Sequence, residues 1–298
     1  MVLPYGPWHP DIVSINANAL RTAQNCRPVA NGFAPLQQPT AVSEALPATC
    51  RGAVTVLQLD GTGASYAGTE TALYSLQSDL TWTDVTRAVG GAYGVTSGER
   101  WRFTSFGDLV IATSYTDDVQ KASISGGGAF QALGGTPPKA RYIDVMRDFV
   151  VLACLDGNEN RIHWSALNDA EGWTIGTNSS DIQDFPSGGP VTGFLGGEVG
   201  YVFQREQVTR MTYLPGSDII MQFDQVEGGR GLAAPNSLVR LGQEAFYLTS
   251  DGFYRMSLIS GGAQPIGIGK WHDWFQDDFK AGSDLFVYGA LTPANDAI

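Results

Sequence analysis

A strand-turn-strand pattern that recurs along the chain limits the possible folds more than any other feature of the sequence. Its clearest copy spans residues 241–258, where two runs of strand-favouring residues flank the Asp251-Gly252 pair. Asp-Gly tolerates the positive φ of a tight hairpin turn, so this stretch predicts a β-hairpin. A two-residue turn at Asp-Gly gives two cross-strand pairs, Thr249 with Tyr254 and Tyr247 with Met256. The opposite face is then shared by three apolar residues, Phe246, Leu248 and Phe253. Because both faces are largely apolar, we expect the sheet to lie between copies of itself.

Looser copies of this unit precede the clearest one. They cover residues 51–76, 106–124, 147–165 and 197–213. The copy at 147–165 is expected to have a longer loop, entered by Asp156-Gly157. The copies recur roughly every 40 to 55 residues, which is the spacing of propeller blades.

Each hairpin has a candidate strand on either side. A weak strand precedes four of them, at residues 101–103, 141–145, 191–195 and 237–241. An aromatic anchor that follows supplies a fourth, outer strand; the anchors are Trp82, Phe130, Trp173 and Phe223. The sequence therefore predicts an all-β, β-propeller-like fold with about five or six four-stranded antiparallel blades.

Composition agrees with many short strands. The chain has 298 residues, of which 37 are glycine and 11% are aromatic, while only 16% are charged. Glycine-rich turns between short strands produce such a composition. No long amphipathic helix is predicted, and the most helix-like patch, residues 17–24, is short.

The sequence divides into three parts. Residues 1–49 are rich in proline and predict an extended N-terminal arm, which either wraps the domain and donates a closing strand or docks on a neighbouring subunit. Residues 50–270 hold the blades. Residues 271–298 form an aromatic and acidic segment in which residues 285–291 resemble the first strand of a closing or further blade. Either that strand closes the ring, or the natural polypeptide continues.

The net charge of −12 argues against general affinity for phosphate backbones or anionic membranes. No apolar run is long enough to cross a bilayer, and the first residues resemble no secretion signal. We therefore expect no membrane anchor and folding in a cytoplasm. The three cysteines, Cys26, Cys50 and Cys154, are too scattered for a disulfide framework or a zinc site, so we interpret them as bystander thiols.

The groups that could perform catalysis have no catalytic spacing. The histidines, His9, His163 and His272, do not form a metal motif, and His163 is expected to be structural. Some propellers are glycosidases, so four carboxylate pairs are candidates for acid/base pairs: Asp117 with Asp118, Asp156 with Glu159, Asp181 with Asp184, and Asp277 with Asp278. Most lie in predicted turns, where Asp caps backbone N–H groups. The acidic stretch 156–160 lacks the residue order of a calcium loop. We predict no catalytic, cofactor-binding or metal-binding residue, and no enzyme.

Aromatic residues leave one further reading open. Six of them either line a carbohydrate-binding face or fill blade cores: Tyr66, Trp101, Tyr115, Tyr142, Trp164 and Trp173. Blade cores use the same residue types at inward positions, so the core interpretation is favoured.

Several ordered segments together resemble a known family. They are RPVANGFAPL (27–36), FGDLVIATSYTDDVQ (106–120), HWSALNDAEGW (163–173), SGGPVTGFLG (187–196), VGYVFQREQVTRMTYL (199–214), FYLTSDGFYR (246–255) and IGIGKWHDWF (266–275). In this combination the chain is similar to the tail-hub, or nozzle, proteins of short-tailed bacteriophages, also described as packaged-DNA stabilisation proteins.

The resemblance implies a non-enzymatic virion protein of the tail, assembled in the host cytoplasm. Copies of it would form a ring below the portal and adaptor proteins, contact other tail proteins, and extend a conduit through which DNA passes without specific binding. It transfers no functional residue position by position. Two alternatives stay open: a glycan-binding propeller for receptor attachment and, less favoured, a propeller glycoside hydrolase.

Overall fold

The computed structural model describes residues 6–12, 19–29, 32–36, 38, 40–57, 61–280 and 282–291. Within that part, the strands form five four-stranded sheets and one two-stranded sheet. This confirms the predicted all-β, β-propeller-like fold. In every four-stranded sheet the strands lie side by side in sequence order, so each sheet is a local meander, as the recurring hairpins predict.

The strands have these bounds. The two-stranded sheet pairs β1 (Cys26–Val29) with β2 (Gly32–Pro35). Sheet 1 contains β3 (Gly52–Leu57), β4 (Gly63–Gly68), β5 (Leu73–Leu76) and β6 (Trp82–Asp84). Sheet 2 contains β7 (Arg102–Phe106), β8 (Leu109–Ser114), β9 (Asp117–Ser123) and β10 (Gly127–Ala132). Sheet 3 contains β11 (Ala140–Met146), β12 (Phe149–Leu155), β13 (Asn158–Trp164) and β14 (Asp181–Asp184).

Sheet 4 contains β15 (Val191–Leu195), β16 (Gly200–Gln204), β17 (Gln207–Tyr213) and β18 (Met221–Gly228). Sheet 5 contains β19 (Val239–Leu241), β20 (Glu244–Thr249), β21 (Gly252–Ser257) and β22 (Gly261–Pro265). One α-helix, α1 (His272–Asp278), and two 3-10 turns, Pro235–Ser237 and Asp284–Phe286, complete the regular structure of the described residues. None of these helices is long and apolar enough to span a bilayer.

The chain forms two compact units. The blade unit is Ala41–Val226, and the terminal unit combines Met1–Thr40 with Glu227–Ile298. In the blade unit the first strands of consecutive sheets contact each other, β3 with β7, β7 with β11, and β11 with β15. One buried apolar cluster lies between sheets 1 and 2, one between sheets 2 and 3, and one between sheets 3 and 4. Sheets 2 and 3 are thus covered on both faces by neighbouring sheets, as the two-sided apolar patterns predict.

The predicted anchors of the outer strands are correct in three of four cases. Trp82, Phe130 and Phe223 lie in the fourth strands of sheets 1, 2 and 4. The prediction for Trp173 is wrong, because this residue lies in the loop before β14 and its indole N–H donates to the backbone oxygen of Ala170 at 2.8 Å. The loop folds back on itself, so the fourth strand begins only at Asp181.

The predicted register of the β20–β21 hairpin is wrong by two residues. Thr249 pairs with Gly252 and Tyr247 with Tyr254, so the turn is Ser250-Asp251 and not Asp251-Gly252. The Asp251 backbone N–H donates to Thr249 Oγ1 at 3.2 Å, and that hydroxyl donates to the Gly252 oxygen at 2.9 Å. The threonine side chain therefore closes the turn one residue early. A shift of two residues preserves the assignment of side chains to faces.

The hairpin of sheet 3 also differs from its prediction. Leu155 pairs with Asn158, so Asp156-Gly157 is itself a two-residue turn and the loop is not longer than in sheet 5. Gly157 has a φ of +79°, which glycine adopts without strain. Residues 158–160 belong to β13, so the acidic stretch 156–160 is a turn followed by a strand.

In the terminal unit a helix packs on sheet 5. The ring of Phe253 lies 5.2 Å from that of Trp271 and 4.7 Å from that of Phe275. The expectation that copies of the sheet cover this face is wrong here, since α1 contacts it. Gly252 fits beneath the helix because a Cβ at this position would lie 2.5 Å from the His272 ring, and its φ is +135°. Phe253 and Phe275 are each half-buried in this contact, so helix and sheet remove apolar surface from water together and stabilise each other.

The predicted strand at residues 285–291 is not formed. Asp284–Phe286 is a 3-10 turn and residues 287–291 have no regular structure. Two hydrogen bonds hold this stretch, from the Asn236 amide to the Leu285 oxygen and from the Gly289 N–H to the Asn236 oxygen, both at 2.9 Å. Both involve the same asparagine, so no ladder develops along the chain.

The described parts of the predicted arm lie in both units. Within the arm, Cys26–Val29 and Gly32–Pro35 pair as β1 and β2. Residues 19–24 of the most helix-like patch are not helical, and residues 17 and 18 of that patch lie outside the described residues. In the blade unit the Trp82 indole N–H donates to the Glu44 oxygen at 3.1 Å, and the Glu44 N–H donates to the Leu80 oxygen at 3.0 Å. The end of the arm thus follows the outer strand of sheet 1.

Candidate functional site

The three histidines lie in separate places. His163 is buried in β13, with Nε2 3.4 Å from Ser180 Oγ and its ring 5.1 Å from that of Trp173 in an edge-on contact. The Ser180 hydroxyl donates to the Trp164 oxygen, which leaves it poorly placed to act as a nucleophile. Burial lowers the pKa of His163, so its ring is neutral at physiological pH. These contacts confirm that His163 is buried within hydrogen-bonding distance of Ser180, as expected of a structural histidine.

In three of the four candidate carboxylate pairs, at least one carboxylate is engaged by a cation; one of these is Glu159, which lies 3.4 Å from Arg141. Asp117 binds Arg87 at 2.9 Å, and Asp118 lies 3.8 Å from Lys139. Asp184 accepts two hydrogen bonds from Arg161, at 2.6 and 2.7 Å. The Arg161 bonds hold the pKa of the Asp184 carboxyl below its usual range. A carboxyl held ionised in this way is a poor general acid.

The other carboxylates have structural positions. Asp181 accepts a hydrogen bond from the Ile182 N–H at 2.8 Å, Asp156 lies in the turn before β13, and Asp277 and Asp278 lie at the end of α1. In the described part of the chain, no three or more His, Cys, Asp or Glu side chains lie close enough together to hold a metal ion.

The structure brings together one polar cluster that the sequence did not reveal. Arg141, at the start of β11, donates to both oxygens of Glu99, at 2.9 and 3.1 Å, and to Glu159 at 3.4 Å. It also donates to Cys154 Sγ at 3.2 Å, and its guanidinium lies 4.1 Å from the centre of the Tyr115 ring. Glu99 lies in the segment that leads into β7, Tyr115 lies in the turn between β8 and β9 of sheet 2, and Arg141 belongs to sheet 3. The cluster therefore joins two blades.

The protonation states of the side chains in this cluster fit a structural role better than a catalytic one. Burial raises the pKa of the Cys154 thiol to about 12. Burial and the neighbouring Glu159 raise the pKa of Tyr115 to about 12. Burial by itself would lower the pKa of Arg141, but the hydrogen bonds that it donates to Glu99 outweigh this effect, and the pKa is raised. The thiol and phenol are therefore protonated at neutral pH, and neither is an activated nucleophile.

The six candidate aromatic residues are mostly core. Five of them are buried, Tyr66, Trp101, Tyr142, Trp164 and Trp173. The Trp101 indole N–H donates to the Thr69 oxygen at 2.8 Å, and that of Trp164 to the Ser179 oxygen at 2.7 Å. Tyr115 lies under Arg141. The core interpretation is confirmed for the buried five, which present no ring to a sugar in solvent.

Exposed aromatic residues are found elsewhere, in the terminal unit. Among the described residues of the whole chain, only three aromatic side chains are exposed: Trp274, Phe286 and Tyr288. Two further exposed apolar side chains, Leu285 and Leu291, lie in the same stretch. We call these five residues the terminal apolar group. Exposed aromatic side chains are enriched at protein interfaces, so this group is the best candidate for a binding surface.

The arm fastens the helix that carries Trp274. The Asp273 and Trp274 backbone N–H groups donate to the two oxygens of the Asp11 carboxylate, at 2.9 and 2.8 Å. Trp271, at the N-cap of α1, makes no side-chain capping bond of its own. The Trp8 ring also contacts that of Trp274 edge-on, at 5.0 Å. The arm thus supplies the cap that the helix lacks, and it fixes the start of the terminal apolar group.

Comparison with known proteins supports the fold but no specific function. No protein-family model matches the chain, and no curated protein matches it. Among solved structures, the WD40 repeats of RRP9 match with 8% identity and a TM-score of 0.50, covering 74% of this chain and 63% of that one. The Cps50 (Swd1) β-propeller domain of Myceliophteria thermophila matches with 14% identity and a TM-score of 0.48, covering 78% and 76%.

BamB from Moraxella catarrhalis matches with 14% identity and a TM-score of 0.43, covering 72% of this chain and 61% of that one. The chain therefore spans about three fifths of the length of the BamB and RRP9 structures. At such low identity, these similarities describe the propeller-like architecture alone.

Proposed function

We propose that this protein is a structural component of a bacteriophage tail. In this role it is a hub or nozzle protein that forms a ring, extends the DNA conduit below the portal and adaptor, and helps to retain packaged DNA. The observation that carries the proposal is the terminal apolar group, whose members include every exposed aromatic side chain of the described residues. A protein that works through subunit contacts needs such a surface, whereas exposed apolar side chains lower the solubility of an isolated monomer.

The chemistry of the buried groups supports a role without catalysis. The thiol of Cys154 and the phenol of Tyr115 are held protonated, and the hydroxyl of Ser180 donates to a backbone oxygen. The resemblance of the seven segments to tail-hub proteins points in the same direction.

Net charge supports passage of DNA without binding. A chain with a charge of −12 repels phosphate over distances of about a Debye length, roughly 8–10 Å at physiological salt. Cationic walls would hold each phosphate that passed and slow ejection. DNA would therefore slide easily through a conduit built from copies of this chain.

Co-assembly tests the proposal directly. Purified protein mixed with the portal and adaptor should form a ring around a channel wide enough for a DNA duplex, visible by electron microscopy. Particles that lack the protein should lose their packaged DNA to added nuclease. The proposal is wrong if the protein stays monomeric in the mixture and particles without it still protect their DNA.

A matched pair of variants locates the surface. Replacing Phe286 and Tyr288 by Ser should reduce co-assembly, because both side chains are more than half exposed, at 74% and 57%. Replacing Val89 and Ile259 by Ser changes two side chains outside the terminal apolar group that are also more than half exposed, at 88% and 72%, and should leave co-assembly unchanged. If both double variants lost co-assembly to the same extent, the terminal apolar group would not be the contact surface.

A glycan-binding propeller is the second candidate, because exposed tryptophan and tyrosine rings also stack on sugars. Trp274 and Tyr288 are the residues that such binding would use. A glycan array probed with the wild-type protein and the Trp274→Ala variant separates the two. Specific sugar binding that the substitution abolishes would favour receptor attachment over the tail hub.

A further inference from the structure

The arm contains a small two-stranded sheet. Among the described strands, β1 and β2 pair only with each other, through pairs that include Cys26 with Pro35 and Val29 with Gly32. The Leu36 N–H adds one bond to the Asn25 oxygen at 2.9 Å. A two-stranded hairpin is marginally stable in water unless a third strand or another element packs on it. The β1–β2 sheet is therefore an element that gains stability from a partner.

The segment that contains β1 and β2 differs in charge from the rest of the chain. Residues 12–43 contain two arginines, Arg21 and Arg27, and no acidic residue. Both arginines are exposed, and so is Leu36. The remainder of the chain carries an excess of acidic residues large enough to bring the whole to −12. The hairpin region is thus a basic, proline-containing segment on an acidic protein.

The terminal segment offers the complementary chemistry. It exposes the terminal apolar group, and three of its carboxylates, those of Asp273, Asp277 and Asp278, belong to exposed residues of α1. Arginine side chains bind both carboxylates and aromatic rings, and proline packs on aromatic rings. Charge, apolar character and exposure therefore match between the two regions.

We propose that the β1–β2 hairpin of one copy of this chain docks on the terminal apolar group of a second copy. This inference deepens the proposed function and rests on it in one respect, since it needs the copies to assemble. It names the two elements that meet. Arg27 faces the carboxylates of α1 in the second copy, and Leu36 lies near Phe286. Such head-to-tail contacts use two different surfaces, and they close into a ring when the rotation between copies allows it.

Intermolecular disulfide formation tests the pairing. Both accessible natural cysteines are first removed by Cys26→Ser and Cys50→Ser, which leaves the buried Cys154. One batch then receives Leu36→Cys and the other Phe286→Cys, and the two are mixed and oxidised. We expect a disulfide-linked pair on a non-reducing gel, at a yield about fivefold or more above that of the control. The control batch carries Ile259→Cys, which is 72% exposed, in place of Phe286→Cys.

Charge reversal gives an independent readout. Arg27→Glu should weaken self-association about 3- to 10-fold, and the effect should shrink at high salt, because exposed charge pairs are screened. Arg205→Glu is the matched control, since Arg205 is exposed in the turn between β16 and β17 and the charge change is identical. The association constant is measured by sedimentation.

The outcomes separate this inference from the proposed function. Assembled copies that give equal yields with Phe286→Cys and Ile259→Cys would overturn the docking and leave the ring in place. Protein that does not self-associate, alone or with portal and adaptor, would overturn both. If Arg27→Glu weakened retention of labelled duplex DNA without changing self-association, the arm would be a nucleic-acid contact and the docking would be wrong.

Discussion

The link between Asp11 and α1 allows a sharp test of how the arm stabilises the terminal segment. Asp11 accepts two backbone hydrogen bonds from the first turn of the helix, at 2.8 and 2.9 Å, across a sequence separation of more than 260 residues. A capping side chain contributes about 0.5–2 kcal/mol, and a carboxylate at the N-terminus of a helix adds about 0.3–1 kcal/mol through the peptide dipoles. We expect Asp11→Ala to destabilise α1 by about 1–2 kcal/mol.

Amide hydrogen exchange measures this local free energy. The Phe279 N–H donates to the Phe275 oxygen at 2.9 Å at the end of the helix and reports its opening. A loss of 1–2 kcal/mol corresponds to exchange about 5- to 30-fold faster, since each 1.4 kcal/mol is about a factor of ten. Global unfolding in denaturant should change much less, because the blade unit does not depend on this cap.

Asp278→Ala is the matched control. It removes the same charge from the last residue of α1, where a carboxylate opposes the peptide dipoles. Exchange at Phe279 should then be unchanged or slower. If Asp11→Ala left the exchange of residues 273–279 at the wild-type rate, or if both variants accelerated it equally, capping by the arm would be refuted.

Three further predictions concern the blade unit. Gly68→Ala should lower the unfolding free energy by about 1–3 kcal/mol, because a Cβ at this position would lie 2.1 Å from the buried ring of Trp101. Gly63→Ala is the control, since its Cβ would meet the end of the flexible Leu57 side chain, and it should leave thermal melts nearly unchanged. Arg141→Met and Glu99→Met should couple by about 1–2 kcal/mol in a double-mutant cycle measured in urea, and additive effects would show that the ion pair does not join the blades. Burial lowers the pKa of His163, so the unfolded chain binds its proton more tightly and stability falls as pH drops below the ordinary value of 6.5. His163→Gln should therefore reduce the loss of stability between about pH 7.5 and about pH 5, and an unchanged pH profile would contradict this.

Much of the fold could be predicted because it is local. Each four-stranded sheet is a meander of consecutive strands, so alternation and turn residues within about 45 residues are sufficient to reveal it. The buried faces were also predictable, since a two-sided apolar pattern requires cover on both sides. The Thr249 turn was missed because a side-chain hydrogen bond, and not the Asp-Gly pair, sets its position.

Helix α1 illustrates a missed signal. Trp271, Phe275 and Phe279 are spaced four residues apart, which places them on one helix face, and the last two rings stack at 5.1 Å. The stretch is only seven residues long and lacks a side-chain cap of its own. Short helices without caps are marginal, so the sequence predicts no helix in this stretch. The distant carboxylate of Asp11 changes that balance.

The candidate surfaces depend most on tertiary structure. Composition and charge indicated an acidic, aromatic-rich protein without catalytic motifs, and residue types could not separate core aromatics from exposed ones. Folding buried Trp101 and Trp164 and left Trp274 exposed, although all three are tryptophan. It also placed Glu99 beside Arg141, which lies 42 residues further along the chain in sheet 3. The sequence by itself determined where the blade hairpins form, because that choice depends on neighbours along the chain. Which side chains meet, and which face solvent, was decided only when the sheets and the helix packed together.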